Sequence, residues 1–209
     1  MKPRRRTLLQ PHKRREQLLL AATWVFARRG YRHASVSDIV ARAGVARGTF
    51  YLHFDSKEQV FLAIVDDFHK RITRAVDSVQ EPAAAAAPAG PQALLRTSFR
   101  QWLEFFAAHR DAATVILKEA SSIDPRFEKG FADLRRSALL HFCSRYRRFQ
   151  ELGVVRASVS PELLAHLLLG MFDELLNAFV LKNPDADLDT LAAQLADFEW
   201  NGIRPDRRE

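Results

Sequence analysis

Arg47, Gly48, Thr49, Tyr51, Leu52, His53 and Lys57 crowd into the short stretch VARGTFYLHFDSK at residues 45–57. Their types suit duplex DNA. A guanidinium matches guanine O6 and N7 in the major groove, so Arg47 is the predicted base reader. Thr49 suits a thymine methyl or a phosphate, and Leu52 offers only apolar contact. Tyr51, His53 and Lys57 are predicted to hold phosphates, as are the hydroxyls of Ser35 and Ser37 just upstream. His53 and Tyr51 have a second reading, as aromatics at the edge of the core. Gly48 is left on the outer side with Arg47, Thr49, Tyr51 and Leu52.

The elements that must position these groups are written in the same stretch. Ser35 followed by Asp38 is a capping-box pattern and predicts a helix starting just after Ser35. Ile39 and Ala43, four apart, give it one buried face. Gly44 stops it, because glycine takes the left-handed conformation without a Cβ clash. Val45 plugs the turn. A second helix of about two turns follows, to His53 or Phe54, with Phe50 and Phe54 inward. Helix, glycine turn and helix, with an arginine opening the second, is the layout that sets a recognition helix into the major groove. Asp55 with Glu58 repeats the start signal and places Lys57 in the first turn of another helix, where a phosphate is favoured.

These residues resemble the tetracycline-repressor (TetR/AcrR) family of one-component regulators. The resemblance runs from Leu18-Leu19 and Ala21-Ala22 through Phe26, Gly30-Tyr31, Asp38-Ile39 and Ala43-Gly44-Val45. It ends with Gly48-Thr49-Phe50-Tyr51, His53-Phe54 and Ser56-Lys57-Glu58. One departure is Ala46, where many members carry a polar N-cap. The resemblance implies a helical effector-binding domain beyond the DNA-binding head, and a homodimer built on that domain.

Charge points the same way. Up to Lys57 the chain holds 13 Lys and Arg against 3 Asp and Glu; the remainder holds 19 against 22. A basic head on a mildly acidic body predicts that only the head meets a polyanion. The single cysteine, Cys143, excludes an internal disulfide and is read as a buried thiol in a reducing cytosol. No apolar run comes near the roughly 18–20 residues that cross a bilayer, and no leader is read at the N-terminus, so a cytoplasmic protein without a membrane partner is expected. A helical enzyme is disfavoured. There is no phosphate-cradling glycine loop, no His-x-x-x-His pair and no elbow serine, and neither a metal nor a cofactor is called for.

In chain order, an all-α fold of about nine helices is expected. Residues 1–11 form a basic arm, suited to phosphates or the minor groove, or else a solvated tail. Residues 12–58 make a three-helix DNA-binding domain whose first helix spans 13–29, with Leu18, Ala22 and Val25 (or Phe26) inside and Trp24 as core packing. A rod over 56–80 links the halves, its 59–80 part carrying Ile64, Phe68, Ile72, Val76 and Val79. An alanine-proline loop fills 81–91. Residues 92–209 form the effector-binding and dimerisation domain, with helices at 92–109, 111–121, 125–152 and 162–182. A last helix is capped by Asp187 or Asp189. Trp102, Phe105, Phe106, Phe131, Phe142, Tyr146, Phe172 and Asp173 are the candidate effector pocket. The helix at 162–182 is apolar round nearly its whole circumference. Leu164, Leu168, Met171 and Leu175, with Leu191, Leu195 and Phe198 of the last helix, are the predicted dimer interface in a four-helix bundle. Asp173 and Glu174, inside this apolar helix, are read first as satisfied interface groups, one of them pairing with an arginine across the dimer, and second as a contact for a cationic or polar ligand. The predicted partners are an operator in double-stranded DNA, a second copy of the chain and a small effector, which an acyl thioester, a phenolic or a cationic drug would all satisfy. A ligand-independent helix-turn-helix protein is the alternative.

Overall fold

The computed structural model describes residues 11–78, 90–119 and 125–205, without the side chains of 76–78, 118, 119 and 125–131. The expectations for the arm at 1–10, for most of the alanine-proline loop and for Val76, Val79 and Phe131 therefore lie outside the described residues. Among the described residues all regular structure is helical. The elements are α1 (Pro11–Arg29), α2 (Val36–Ala43), α3 (Arg47–Tyr51), α4 (Lys57–Ser78), α5 (Gly90–Ala108), α6 (Arg110–Glu119), α7 (Pro125–Glu151), α8 (Pro161–Leu175) and α9 (Leu188–Ile203). A short π-helical turn, Leu176–Val180, continues α8.

The head closes around phenylalanines. Leu18, Ala22, Val25 and Phe26 of α1, Ile39 of α2, Phe50 of α3, Phe54, and Val60, Phe61 and Ile64 of α4 are all buried. Phe26 and Phe61 each set an edge against Tyr31 or tilt toward one another, at centroid distances of 5.0–6.2 Å. The α2 capping box forms as expected, with Ser35 accepting from the Asp38 N–H and the Asp38 carboxylate accepting from the Ser35 N–H. Those hydrogen bonds from Ser35, reinforced by Arg29, hold the Asp38 carboxyl below its ordinary range. Gly44, at φ 66, ends α2. Gln17 reaches over from α1 to donate to the Ala43 carbonyl at 2.7 Å and satisfies one of the acceptors left open there.

At the N-terminus of α4 the Ser56 hydroxyl accepts from the Gln59 N–H, and the Gln59 side-chain carbonyl accepts from the Asp55 N–H at 2.7 Å. One start differs from expectation. Gly90 and Pro91, assigned to the loop, open α5, since a proline costs nothing in a first turn whose N–H is unpaired anyway.

In the body, α5 packs along α9 and α7 along α8, while α4 runs from the head to touch α6 and α7. The 20-residue helix Pro161–Val180 is long and apolar enough, by length and composition, to cross a membrane. Sequence reading missed it because Glu162, Asp173 and Glu174 break the run. In the fold Leu164, Ala165, Leu168, Leu176 and Val180 turn inward, and Phe172 packs on Phe99 and Phe106 of α5.

Candidate functional site

The helix α3 presents its functional residues on one side because Phe50, fully buried, fixes its rotation. Arg47 and Tyr51, one turn apart, share the outer face, with Arg47 donating to the Tyr51 hydroxyl at 3.4 Å. Gly48 has nothing within 4 Å of where a Cβ would sit, so its surface is open to another backbone. Leu52 is 81 % exposed, an unusual solvent exposure for leucine that suits a contact surface. Thr49 and His53 are half-buried. Ala46 supplies no side-chain cap, and the first donors of α3 remain open. Ser37 is exposed, whereas the Ser35 hydroxyl donates to Asp38 at 2.7 Å and is spent on the capping box.

Lys57, expected to hold a phosphate, also serves the fold. Its ammonium donates to the Tyr31 and Ala34 carbonyls at 2.8 and 2.9 Å and lies 4.3 Å above the Tyr31 ring. Two of its three N–H donors thus clamp the loop between α1 and α2 onto α4. Lys57→Ala is expected to lower stability by about 1–2 kcal/mol, read by thermal or urea unfolding, because two half-buried carbonyls lose charged donors. Trp24, read as core packing, lies half-buried between the guanidiniums of Arg28 and Arg42, 4.3 and 4.4 Å from its ring.

A cavity of about 600 Å³ opens in the body between α4, α5, α6, α7, α8 and α9. Trp102, Phe106, Phe142, Tyr146, Phe172 and Asp173 line it. Phe105 does not. It is turned onto Phe68, Trp102 and the His109 ring, stacked at 4.5 Å, because α5 rotates by 100° per residue and only one of two adjacent phenylalanines can face inward. The polar lining was largely missed by sequence reading: His69 and Thr73 from α4, Arg135 and Arg145 from α7, Asn177 from the π turn and Glu199 from α9. Asp173 pairs with Arg135 of the same chain at 2.9 Å, so no ligand or partner subunit is needed to neutralise it. Glu174 is exposed. Cys143 is half-buried, near the Glu162 carboxylate at 3.3 Å, and partial desolvation pushes its thiol up.

The predicted dimer residues divide. Leu164, Leu168 and Leu195 are buried in the chain's own core and offer nothing to a partner. Met171, Leu175 and Leu191 are half-buried. Phe198 is 72 % exposed, joined on the outside by Leu163, Leu167 and Phe179, which the prediction had not included.

Residues 18–64 match the family model described as bacterial regulatory proteins, tetR family. Over those residues the chain is similar to tetR-family regulators. It is 27% identical over 192 residues to the HTH-type transcriptional regulator YdgC of Bacillus subtilis, covering 91% of this chain and 93% of that one. It is 27% identical over 190 residues to the HTH-type transcriptional repressor BepR of Brucella suis, covering 88% of each. The solved structure of a fatty acid degradation regulator, FadR from Bacillus halodurans, superposes with a TM-score of 0.74 at 25% identity, over 90% of this chain and 95% of that one. The chain is a DNA-binding transcriptional regulator, with α2 and α3 as its helix-turn-helix.

Proposed function

We propose that this regulator is a homodimeric, non-catalytic repressor, released from a near-palindromic operator when a small apolar or amphipathic effector enters the body cavity. The observation that carries the reading is the sharing of helices. α4 and α6 line the cavity with Phe68, Ile72, Ile116 and Leu117, and the same two helices pack against α1 of the DNA-binding head. Whatever fills the cavity bears on elements that the head rests on, which is what a coupling free energy between two sites requires.

Adjacent side chains extend the route. Asp111 of α6 pairs with Arg28 of α1 at 3.0 Å, while its neighbour Arg110 donates to the Val180 and Asn183 carbonyls at 3.1 Å. One turn of α6 thus ties the head to the end of α8. The likeness to the repressor BepR supports repression, and the likeness to the fatty acid degradation regulator supports an apolar effector. The size and aromatic lining of the cavity weigh against a ligand-independent protein.

In this reading Arg47 reads a base, while Ser37, Thr49, Tyr51 and His53 hold the backbone. Half-sites recur about 34–36 Å apart or at a multiple. Arg47→Ala is expected to cost about 1–3 kcal/mol of operator affinity and to relax preference at one position of each half-site. Selection of bound fragments from random duplexes, with wild type and variant side by side, reads both effects. Unchanged base preference in the variant removes Arg47 from the readout.

A further inference from the structure

Among the described polar groups lining the cavity, one carboxyl is only half used. Glu199 lies on the buried face of α9, one turn from Leu195 and one from Ile203, and is 7 % exposed. The buried Tyr146 hydroxyl donates to its Oε1, whereas Oε2 has no hydrogen-bond partner. The other carboxylate of the lining differs, since Asp173 is partly exposed and takes the Arg135 guanidinium at 2.9 Å. A buried carboxyl oxygen without a partner costs on the order of 1–3 kcal/mol, and here it costs that beside a space large enough for a ligand.

Burial raises the Glu199 carboxyl above its ordinary range, while the Tyr146 hydrogen bond and the Arg145 charge act the other way. Either protonation state leaves one demand at Oε2: the carboxylate needs a donor and the acid needs an acceptor. A hydroxyl meets both demands, since it donates and accepts. An ammonium, which only donates, meets only the first.

Building on the effector-cavity reading above, we propose that Glu199 is the polar anchor of the cavity and that its Oε2 receives a hydroxyl of an otherwise apolar, ring-containing effector. Trp102, Phe106, Phe142 and Phe172 supply the walls for the rings. Glu199 then decides which apolar molecules are signals, because an analogue without the hydroxyl leaves the buried oxygen as it was.

The test compares matched probes on the full chain by calorimetry: 4-phenylphenol, biphenyl, which lacks only the hydroxyl, and 4-phenylbenzylamine, which replaces it with a cation. Wild type is expected to bind 4-phenylphenol about tenfold more tightly than biphenyl, as one good hydrogen bond predicts. Glu199→Leu should erase that preference while keeping biphenyl affinity. Glu199→Gln, whose amide also donates and accepts, should keep most of it and guards against a folding defect in the leucine variant. Equal, saturable binding of phenol and hydrocarbon to wild type overturns the anchor and leaves the effector cavity standing. Preference for the amine overturns the hydroxyl assignment. Saturable binding of none of the three overturns the cavity reading and the anchor together.

Discussion

Leu167→Glu is expected to convert the proposed homodimer into monomers and to lower operator affinity by about 100-fold or more, with the fold of each chain intact. Leu167 is 59 % exposed on the outer face of α8, beside Leu163 and one turn before Gly170, and Phe198 stands out from α9. The side chain contributes little to its own chain's core, so the substitution should move stability by no more than about 0.5 kcal/mol. Within a two-fold interface of α8 and α9 it would instead bury two unpaired carboxylates, a cost of several kcal/mol. Loss of the dimer removes the link between two half-site contacts, and such a link is worth about 10²–10⁴ in affinity. Sedimentation velocity reads the first effect and titration of an operator duplex the second. A Leu167→Glu protein that still sediments as a dimer would move the interface elsewhere. The same substitution at Leu164 or Leu168 would not discriminate, because those residues hold the monomer together.

That contrast shows what the sequence makes legible. The head is specified by short-range signals: the Ser35–Asp38 box, the left-handed Gly44 and the inward pair Phe50 and Phe54 each act within a few residues, so α1, α2 and α3 follow from spacing alone. Spacing also leaves room for side chains it does not single out: at the start of α4, Ser56 and Gln59 each take a backbone N–H. The body depends on how each helix is rotated. Leucines surround α8, and neither period nor composition distinguishes Leu164, which is buried, from Leu163, which is not. Phe105 and Phe106 pose the same problem on α5. Glu199 was legible in principle, since it falls in the register of Ala192, Leu195, Ala196 and Ile203 on a stripe that is otherwise apolar. An ionisable residue at such a position signals either a satisfied pair or a site. Only Tyr146, 53 positions away and donating to Oε1 alone, shows that Glu199 is partly each.

Phe50→Ala should do the most damage to the head for one substitution: a loss of about 3–5 kcal/mol in stability, with operator binding abolished. The ring is fully buried, 5.4 Å from Tyr51 and 5.8 Å from Phe54 in edge and tilted contacts, and Phe54 closes the same core. Removing it leaves a void under the five-residue helix α3, which is too short to persist without tertiary packing. Ala46 contributes no side-chain cap to compensate. The loss should be local at first, since the body is anchored by separate contacts between α5 and α9 and between α7 and α8. Hydrogen exchange on the variant is therefore expected to lose protection through α2 and α3 while α5 and α9 keep theirs. Uniform loss over the whole chain would mean that head and body unfold as one unit. In that case α4 would transmit collapse of the head into the body as well as the effector signal out of it.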